Sequence, residues 1–163
     1  MLKVLAEQWC KNKNQLKNYL KDNYEKLNSL TYKDIVKIAF EQIYENKLNT
    51  LDLEHITKID DGDYQGTLLF IIPFNTYQPS HYEYLMTYID YGSCSGCDTL
   101  QSLQADYHYY GYDEGQVEED YINEKINGFM YLCKDILCNA IKPYNSGWYH
   151  AEEWSETQWD GEF

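Results

Sequence analysis

Two cysteines three residues apart, Cys94 and Cys97, are the feature of the sequence most suited to chemistry. They lie between an expected strand and an expected helix, and three interpretations are open. A thiolate at the start of a helix is stabilised by the helix dipole and could act as a nucleophile or a redox group. A Cys-x-x-Cys pair also supplies two ligands of a structural zinc site. In the third interpretation the cysteines are small buried side chains, glycines shape a tight loop, and Asp98 caps the helix.

A zinc site would need further ligands beyond this pair, and the candidates are Cys133, Cys138, His81 and His108. Cys133 and Cys138 are five residues apart on an expected helix, about 140° around its axis, so they do not face one site. Cys133 also lies on the apolar stripe of that helix, which suits a core residue. A thioredoxin-like redox site would follow a βαβ pattern, whereas antiparallel strands are expected before this Cys-x-x-Cys pair. We therefore favour the structural interpretation, with no cofactor, and keep zinc bound by the pair as the alternative.

The other reactive side chains form no catalytic motif. The sequence holds no His-Glu-x-x-His, no phosphate-binding glycine loop and no nucleophile elbow, and its four histidines are isolated from one another. Asp60, Asp61 and Asp63 fall in an expected turn, where Asx-turn hydrogen bonds are favoured over calcium binding or catalysis. We therefore expect a protein that is not an enzyme.

The block YGSCSGCDTL at residues 91–100 and the segment DYQGT at 63–67 carry a resemblance to known proteins. Together they resemble small uncharacterised proteins encoded by bacteriophages and mobile elements. The resemblance covers about residues 60–105 and has no assigned activity, so no site residue is transferred from it. It implies a viral context for the chain.

Charge is distributed unevenly along the chain. All thirteen cationic residues are Lys, none is Arg, and twenty-seven Asp and Glu give a net charge of −14. Residues 1–50 hold nine Lys and six acids, net +3, whereas residues 51–163 hold four Lys and twenty-one acids, net −17. Without Arg, and with this charge, direct binding to DNA or RNA is not expected. A basic protein is the expected partner, because the negative field would speed its association.

Aromatic residues are interleaved with carboxylates in two segments, 106–120 and 152–162, of a chain that contains eighteen Tyr and four Trp. Spaced negative charges can stand in for phosphates, and aromatic rings supply flat stacking area. A solvated acidic face with a packed or frayed tail is the alternative. The predicted partner-binding residues are Asp106, Tyr109, Tyr110, Tyr112, Asp113, Glu114, Glu118, Glu119, Asp120, Glu152, Glu153, Trp154, Glu156, Trp159 and Asp160.

Apolar spacing predicts the elements that position these side chains. Helices are expected over 2–27, 32–47, 98–105 and 117–141, and strands over 53–59, 64–73 and 82–91. The run Leu68 to Ile72 is apolar at every position, so its strand is expected to be central and covered on both faces. The fold class is therefore α+β, a three-stranded antiparallel meander flanked by two N-terminal helices, a short helix after the Cys-x-x-Cys loop and a long C-terminal helix.

The length favours one domain, residues 1–143, followed by an acidic Trp-rich extension over 144–163. No signal peptide or long apolar run is recognised, so we expect a cytoplasmic protein with reduced cysteines and no membrane partner. The functional hypothesis is a phage-encoded inhibitor of a host nucleic-acid-handling protein, such as a nuclease of the CRISPR kind, that acts by charge mimicry. A zinc or thiol protein centred on the Cys-x-x-Cys pair and a phage assembly module are the alternatives.

Overall fold

Helices and a three-stranded antiparallel sheet make up the fold, which is α+β as the sequence predicts. The computed structural model describes residues 2–45, 50–105, 114–144 and 147–149. In chain order the elements are α1 (Leu2–Asp22), a 3-10 helix (Tyr24–Ser29), α2 (Tyr32–Ile43), β1 (Thr57–Asp60), β2 (Gly66–Pro73), β3 (Tyr84–Tyr91), α3 (Thr99–Gln104), α4 (Glu114–Cys138), β4 (Lys142–Tyr144) and β5 (Gly147–Tyr149).

The first helix is shorter than its apolar spacing indicates. It ends at Asp22 and not near residue 27, where the side-chain N–H of Asn23 donates to the Tyr19 carbonyl at 2.9 Å and competes with the next backbone bonds of the helix. The chain then tightens into the 3-10 helix. Leu27 remains buried in this turn, so the apolar stripe is kept although the α-helix is not.

The second helix starts at the predicted cap. Thr31 Oγ1 accepts a hydrogen bond from Asp34 N at 3.3 Å, and Asp34 Oδ2 accepts one from Thr31 N at 2.8 Å, which makes a reciprocal capping box. The helix ends at Ile43 and does not continue to residue 47, because Tyr44 already has an extended backbone.

The sheet has the order β1-β2-β3, so the meander and the central place of β2 are confirmed. On one face of β2, Leu68, Phe70 and Ile72 are buried. On the other face, Leu69 and Ile71 are only half-buried. The expectation that β2 is covered on both faces is therefore met on one face alone.

The first strand begins later than its alternating pattern indicates. The Asp52 carboxylate accepts hydrogen bonds from the backbone N–H groups of Glu54 and His55, at 3.2 and 3.3 Å, and so folds this segment into a turn. β1 consequently starts at Thr57 and not at residue 53. The other two strands also start two residues later than predicted, at 66 and 84, where their mutual pairing begins and ends.

The core is one cluster of buried residues from the inner face of the sheet and from α1, α2 and α4; these three helices contact one another, and α4 also contacts β3. Its largest fully buried side chains include Trp9, Phe40, Phe70 and Phe129. Lys125 of α4 is also buried, with Nζ 2.5 Å from Asn28 Oδ1 and close to the faces of two tyrosine rings. These contacts fix α4 against the 3-10 helix.

The last long helix occupies Glu114–Cys138, where the sequence predicts 117–141. It ends early because Ile141 exchanges two backbone hydrogen bonds with Met86 of β3, at 2.8 and 2.7 Å. The chain is thereby drawn to the edge of the sheet, and β4 and β5 pair beyond it. None of the helices in the described part of the chain combines the length and hydropathy of a bilayer-spanning helix.

Candidate partner surface and dithiol loop

Four carboxylates and one tyrosine, Asp60, Asp61, Asp63, Tyr64 and Asp90, lie at one end of the sheet, which we call the acidic sheet end. The first four residues end β1 or form the β1–β2 turn, and Asp90 is on β3 opposite Thr67 of β2. All four carboxylates are exposed, and Tyr64 is 83% exposed. This end of the sheet therefore presents negative charge and an aromatic ring to solvent together.

Thr67 links the turn to β3. Its backbone N–H donates to Asp61 Oδ1 at 2.6 Å, and its hydroxyl donates to Asp90 Oδ1 at 2.7 Å. A methyl group on Gly62 would lie 2.2 Å from the Gln65 carbonyl oxygen, so glycine is required where the turn closes. The carboxylates are held in place by this turn as well as by the strands.

Electrostatics at the acidic sheet end are dominated by the carboxylates. The Tyr91 hydroxyl donates to Asp60 Oδ1 at 2.8 Å, and this bond, with the charges of the turn aspartates, raises the pKa of Tyr91 to about 12. The same bond lowers the pKa of Asp60. Lys58 Nζ lies 3.7 Å from Asp60 Oδ2. Among the ion pairs of the described residues none joins a lysine to the other three carboxylates, so the local charge remains negative.

Of the predicted partner-binding residues, Glu119 and Asp120 are exposed in the first turns of α4. Glu114 and Glu118 belong to the same helix. The others lie outside the described residues: Asp106, Tyr109, Tyr110, Tyr112, Asp113, Glu152, Glu153, Trp154, Glu156, Trp159 and Asp160. Their role stays a prediction.

Sequence reasoning missed the acidic sheet end. It assigned Asp60, Asp61 and Asp63 to turn chemistry and gave Asp90 no role. The signal that could have revealed the cluster is the meander itself, because pairing the strands end to end brings residue 90 beside the β1–β2 turn.

The Cys-x-x-Cys pair lies in the loop from Gly92 to Asp98, which we call the dithiol loop. Cys94 Sγ and Cys97 Sγ are 3.0 Å apart, and both residues are exposed. The backbone N–H groups of Cys97 and Asp98 both donate to the Cys94 carbonyl, at 2.9 and 2.8 Å. The expectation that these two cysteines are buried is therefore wrong, because no element in the described part of the chain covers this turn and both residues are open to solvent.

Asp98 closes the dithiol loop. Its side chain is buried and accepts hydrogen bonds from Gly92 N at 3.2 Å and from Gln101 N at 2.7 Å, so it caps α3 as predicted and also ties the loop to β3. A methyl group on Gly92 would lie 2.2 Å from the Cys97 carbonyl oxygen. The loop can close this tightly only with glycine at that position.

The cysteines differ in acidity. Hydrogen bonds from the side chains of Cys94 and then Ser93 lower the pKa of Cys97 below its ordinary value, since both stabilise its thiolate. Burial raises the pKa of Cys133 and of Cys138 to about 12. Cys133 is fully buried, as its place on the apolar stripe indicates. Of these three cysteines, Cys97 is therefore the one whose thiolate is favoured.

The zinc alternative finds little support at this loop. Within the described residues no group of three or more His, Cys, Asp and Glu side chains could hold a metal ion. Of the candidate ligands, Cys133 is in the core, His81 packs edge-on against the Tyr82 ring at 5.0 Å, and His108 lies outside the described residues.

An open cleft of about 610 Å³ separates the acidic sheet end from the dithiol loop. Asp60 and Tyr91 line it on the sheet side, and Asp98 lines it on the loop side. The Tyr32 hydroxyl, which accepts a hydrogen bond from Leu100 N at 3.1 Å, lies in its wall, and burial raises the pKa of Tyr32 to about 12. These groups are engaged in holding α2, α3 and the sheet together.

Comparison of the chain with protein-family models, curated proteins and solved structures gave no match. Its function is therefore inferred from the charges and thiols described above.

Proposed function

We propose that the chain is a non-enzymatic, phage-encoded protein that binds a basic nucleic-acid-handling protein in the host cytoplasm and inhibits it by charge mimicry. The acidic sheet end carries this proposal. It places four exposed carboxylates beside an exposed tyrosine. These residues belong to the segment 51–163, which holds twenty-one acids and only four lysines.

The ordering of these carboxylates favours binding. Thr67 holds Asp61 and Asp90 through its backbone N–H and its hydroxyl, and the Tyr91 hydroxyl holds Asp60. A surface that is already fixed loses less conformational entropy when a partner docks. Carboxylates fixed on the end of a sheet therefore lose less conformational entropy on entering a basic groove than carboxylates on a flexible acidic segment would lose.

The partner must be basic, and a nucleic-acid channel is the basic surface that the chemistry fits best. Such channels combine Lys and Arg with aromatic groups that stack on bases. Carboxylates can pair with the cations, and the exposed Tyr64 ring can replace a base. Glu119 and Asp120, exposed on α4, add to the negative field, and the acidic segments 106–113 and 152–162 are proposed to extend it. A nuclease of the CRISPR kind is one partner of this description.

Competition with DNA tests the proposal. A panel of purified RNA-guided nucleases and other basic DNA-binding proteins is mixed with fluorescent duplex DNA, and displacement by the chain is followed by anisotropy. The sheet-end variant carries Asp60→Asn, Asp61→Asn, Asp63→Asn and Asp90→Asn. The helix control variant changes the net charge equally in exposed positions of the N-terminal helices, by Glu7→Gln, Asp22→Asn, Glu25→Gln and Glu41→Gln.

We expect the wild-type chain to displace DNA from at least one member of the panel. The sheet-end variant should be weaker by about tenfold or more and the helix control by less than about twofold, because only the first removes contact charges. Displacement should also weaken between about 50 and 300 mM NaCl. Absence of displacement across the panel, salt-independent binding, or equal losses in both variants would contradict charge mimicry at this surface.

A further inference from the structure

We infer that Cys94 and Cys97 form a thiol–disulfide redox centre, in which Cys97 is the attacking thiol and Cys94 resolves the mixed disulfide. The inference rests on two exposed thiols whose sulfurs are held 3.0 Å apart by a closed backbone loop. This inference is independent of the proposed charge mimicry.

The loop is arranged so that the two sulfurs can join with little backbone movement. A disulfide has its sulfurs about 2.05 Å apart, so the present pair has about 1 Å to close, a distance within reach of side-chain rotation. The backbone on both sides is already fixed, because the Cys94 carbonyl accepts two N–H groups and Asp98 binds Gly92 and Gln101. Oxidation therefore requires no refolding of the chain.

The two thiols of the dithiol loop are more accessible to solvent than the two cysteines of α4. Cys133 is fully buried and Cys138 is partly buried, so a reagent in solution does not reach them readily. Cys10 is exposed on α1 and serves as an internal reference, since it is a free thiol outside the dithiol loop.

Contacts around the two sulfurs favour Cys97 as the attacking group. Its Sγ has the Cys94 thiol at 3.0 Å and the Ser93 hydroxyl at 3.8 Å, both of which can donate to a thiolate. The resulting lowered pKa of Cys97 raises the fraction of thiolate near neutral pH. Cys94 is then the neighbour within reach of the sulfur that has reacted.

The reaction uses a low-molecular-weight disulfide, such as oxidised glutathione, as the two-electron oxidant. The Cys97 thiolate attacks one sulfur of the oxidant, forms a protein–glutathione disulfide and releases one glutathione thiolate. Cys94 gives its proton to solvent and its thiolate attacks Cys97 Sγ. The protein disulfide forms and the second glutathione thiolate leaves, so two protein thiols are oxidised while one disulfide is reduced to two thiols.

Mass spectrometry of the full-length protein tests the centre. The protein is equilibrated in glutathione buffers from fully reduced to fully oxidised, quenched in acid, and alkylated. We expect a species two hydrogen masses lighter, with two fewer alkyl groups on the peptide that contains the dithiol loop, and complete return to the dithiol when reduced glutathione is added. A Cys10→Ser variant should behave in the same way.

Two single variants test the assignment of roles. Cys94→Ser should accumulate the mixed disulfide on Cys97, because the resolving thiol is missing. Cys97→Ser should form a mixed disulfide on Cys94, at a rate about tenfold lower than the rate at which Cys97 reacts in the Cys94→Ser variant. Circular dichroism of each variant confirms that it is folded before the rates are compared.

Three results would overturn the inference. The first is a pair that stays reduced in fully oxidised glutathione. The second is equal rates of mixed-disulfide formation in the two single variants, which would remove the assignment of Cys97. The third is one equivalent of zinc, retained by protein purified without chelator and released by either substitution, because the thiols would then be metal ligands.

Discussion

Asp98 shows how one residue can join three parts of this fold. Its carboxylate accepts N–H groups from the end of β3 and from α3, and it lies beside the Tyr32 hydroxyl of α2. The side chain is almost completely buried, so water cannot replace these partners if the carboxylate is removed. The position of the dithiol loop therefore depends on this single side chain.

Replacing Asp98 tests this role. Asp98→Ala leaves two backbone N–H groups without their acceptor, and we expect the free energy of unfolding to fall by about 2–4 kcal/mol. Asp98→Asn, which keeps one acceptor oxygen, should cost less than Asp98→Ala. Urea denaturation measures both changes, and Asp22→Ala at the exposed end of α1 is the control, with an expected change within about 0.5 kcal/mol. A loss for Asp98→Ala no larger than for the control would refute the role.

The sequence predicted the chemistry of Asp98 but not the exposure of its neighbours. Asp98 and Gln101 have the spacing of a helix N-terminus, so the cap could be recognised from local pattern alone. Cys94 and Cys97 were expected to be buried, because free cysteine is commonly a small core residue. Exposure depends on which elements cover a loop, and no local pattern contains that information.

At the scale of elements, β2 determines how the sheet packs. Its buried face belongs to the core cluster that also contains residues of α1, α2 and α4, while its opposite face is half-buried. The apolar run of β2 could not distinguish these faces, because Leu69 and Ile71 are as apolar as Leu68 and Phe70. Sequence pattern thus predicted the place of the strand in the sheet and overestimated its burial.

Truncations on the two faces of β2 measure this difference. Phe70→Ala removes a fully buried ring, and we expect the free energy of unfolding to fall by about 3–5 kcal/mol. Leu69→Ala removes a half-buried side chain and should cost about 1–2 kcal/mol. Both are measured by chemical denaturation, with Tyr77→Ala, at a side chain 98% exposed, as the control. Equal losses at 69 and 70 would mean that both faces are covered alike.

Helix ends were predicted less well than helix existence. The apolar spacing of α1 continues to Leu27, and that of α4 continues towards Ile141, yet both helices stop earlier. In each case a competing hydrogen bond accompanies the end: the side-chain amide of Asn23 donates to the Tyr19 carbonyl, and the backbone of Met86 in β3 pairs with that of Ile141. The second of these is a contact between elements distant in the sequence, which periodicity cannot reveal.

At the scale of the whole molecule, the charge of the last two thirds is only partly compensated. Lys37 pairs with Glu54, and Lys58 lies 3.7 Å from Asp60. Exposed pairs of this kind contribute little to stability, whereas an excess of like charge opposes compaction at long range. Residues 51–163, with a net charge of −17, should therefore repel one another in the folded state.

Salt should stabilise the wild-type chain for this reason. We expect its thermal midpoint to rise by a few degrees between about 0.02 and 0.5 M NaCl at pH 7, because the Debye length falls below the spacing of the repelling carboxylates. The sheet-end variant should show a smaller rise, since four of those charges are gone. The helix control variant, altered in the half of the chain that is net positive, should keep at least the wild-type rise. Differential scanning calorimetry with NaCl measures these slopes. A midpoint that falls with salt in the wild type would show that attraction between lysines and acids outweighs repulsion in the folded state, and it would contradict this prediction.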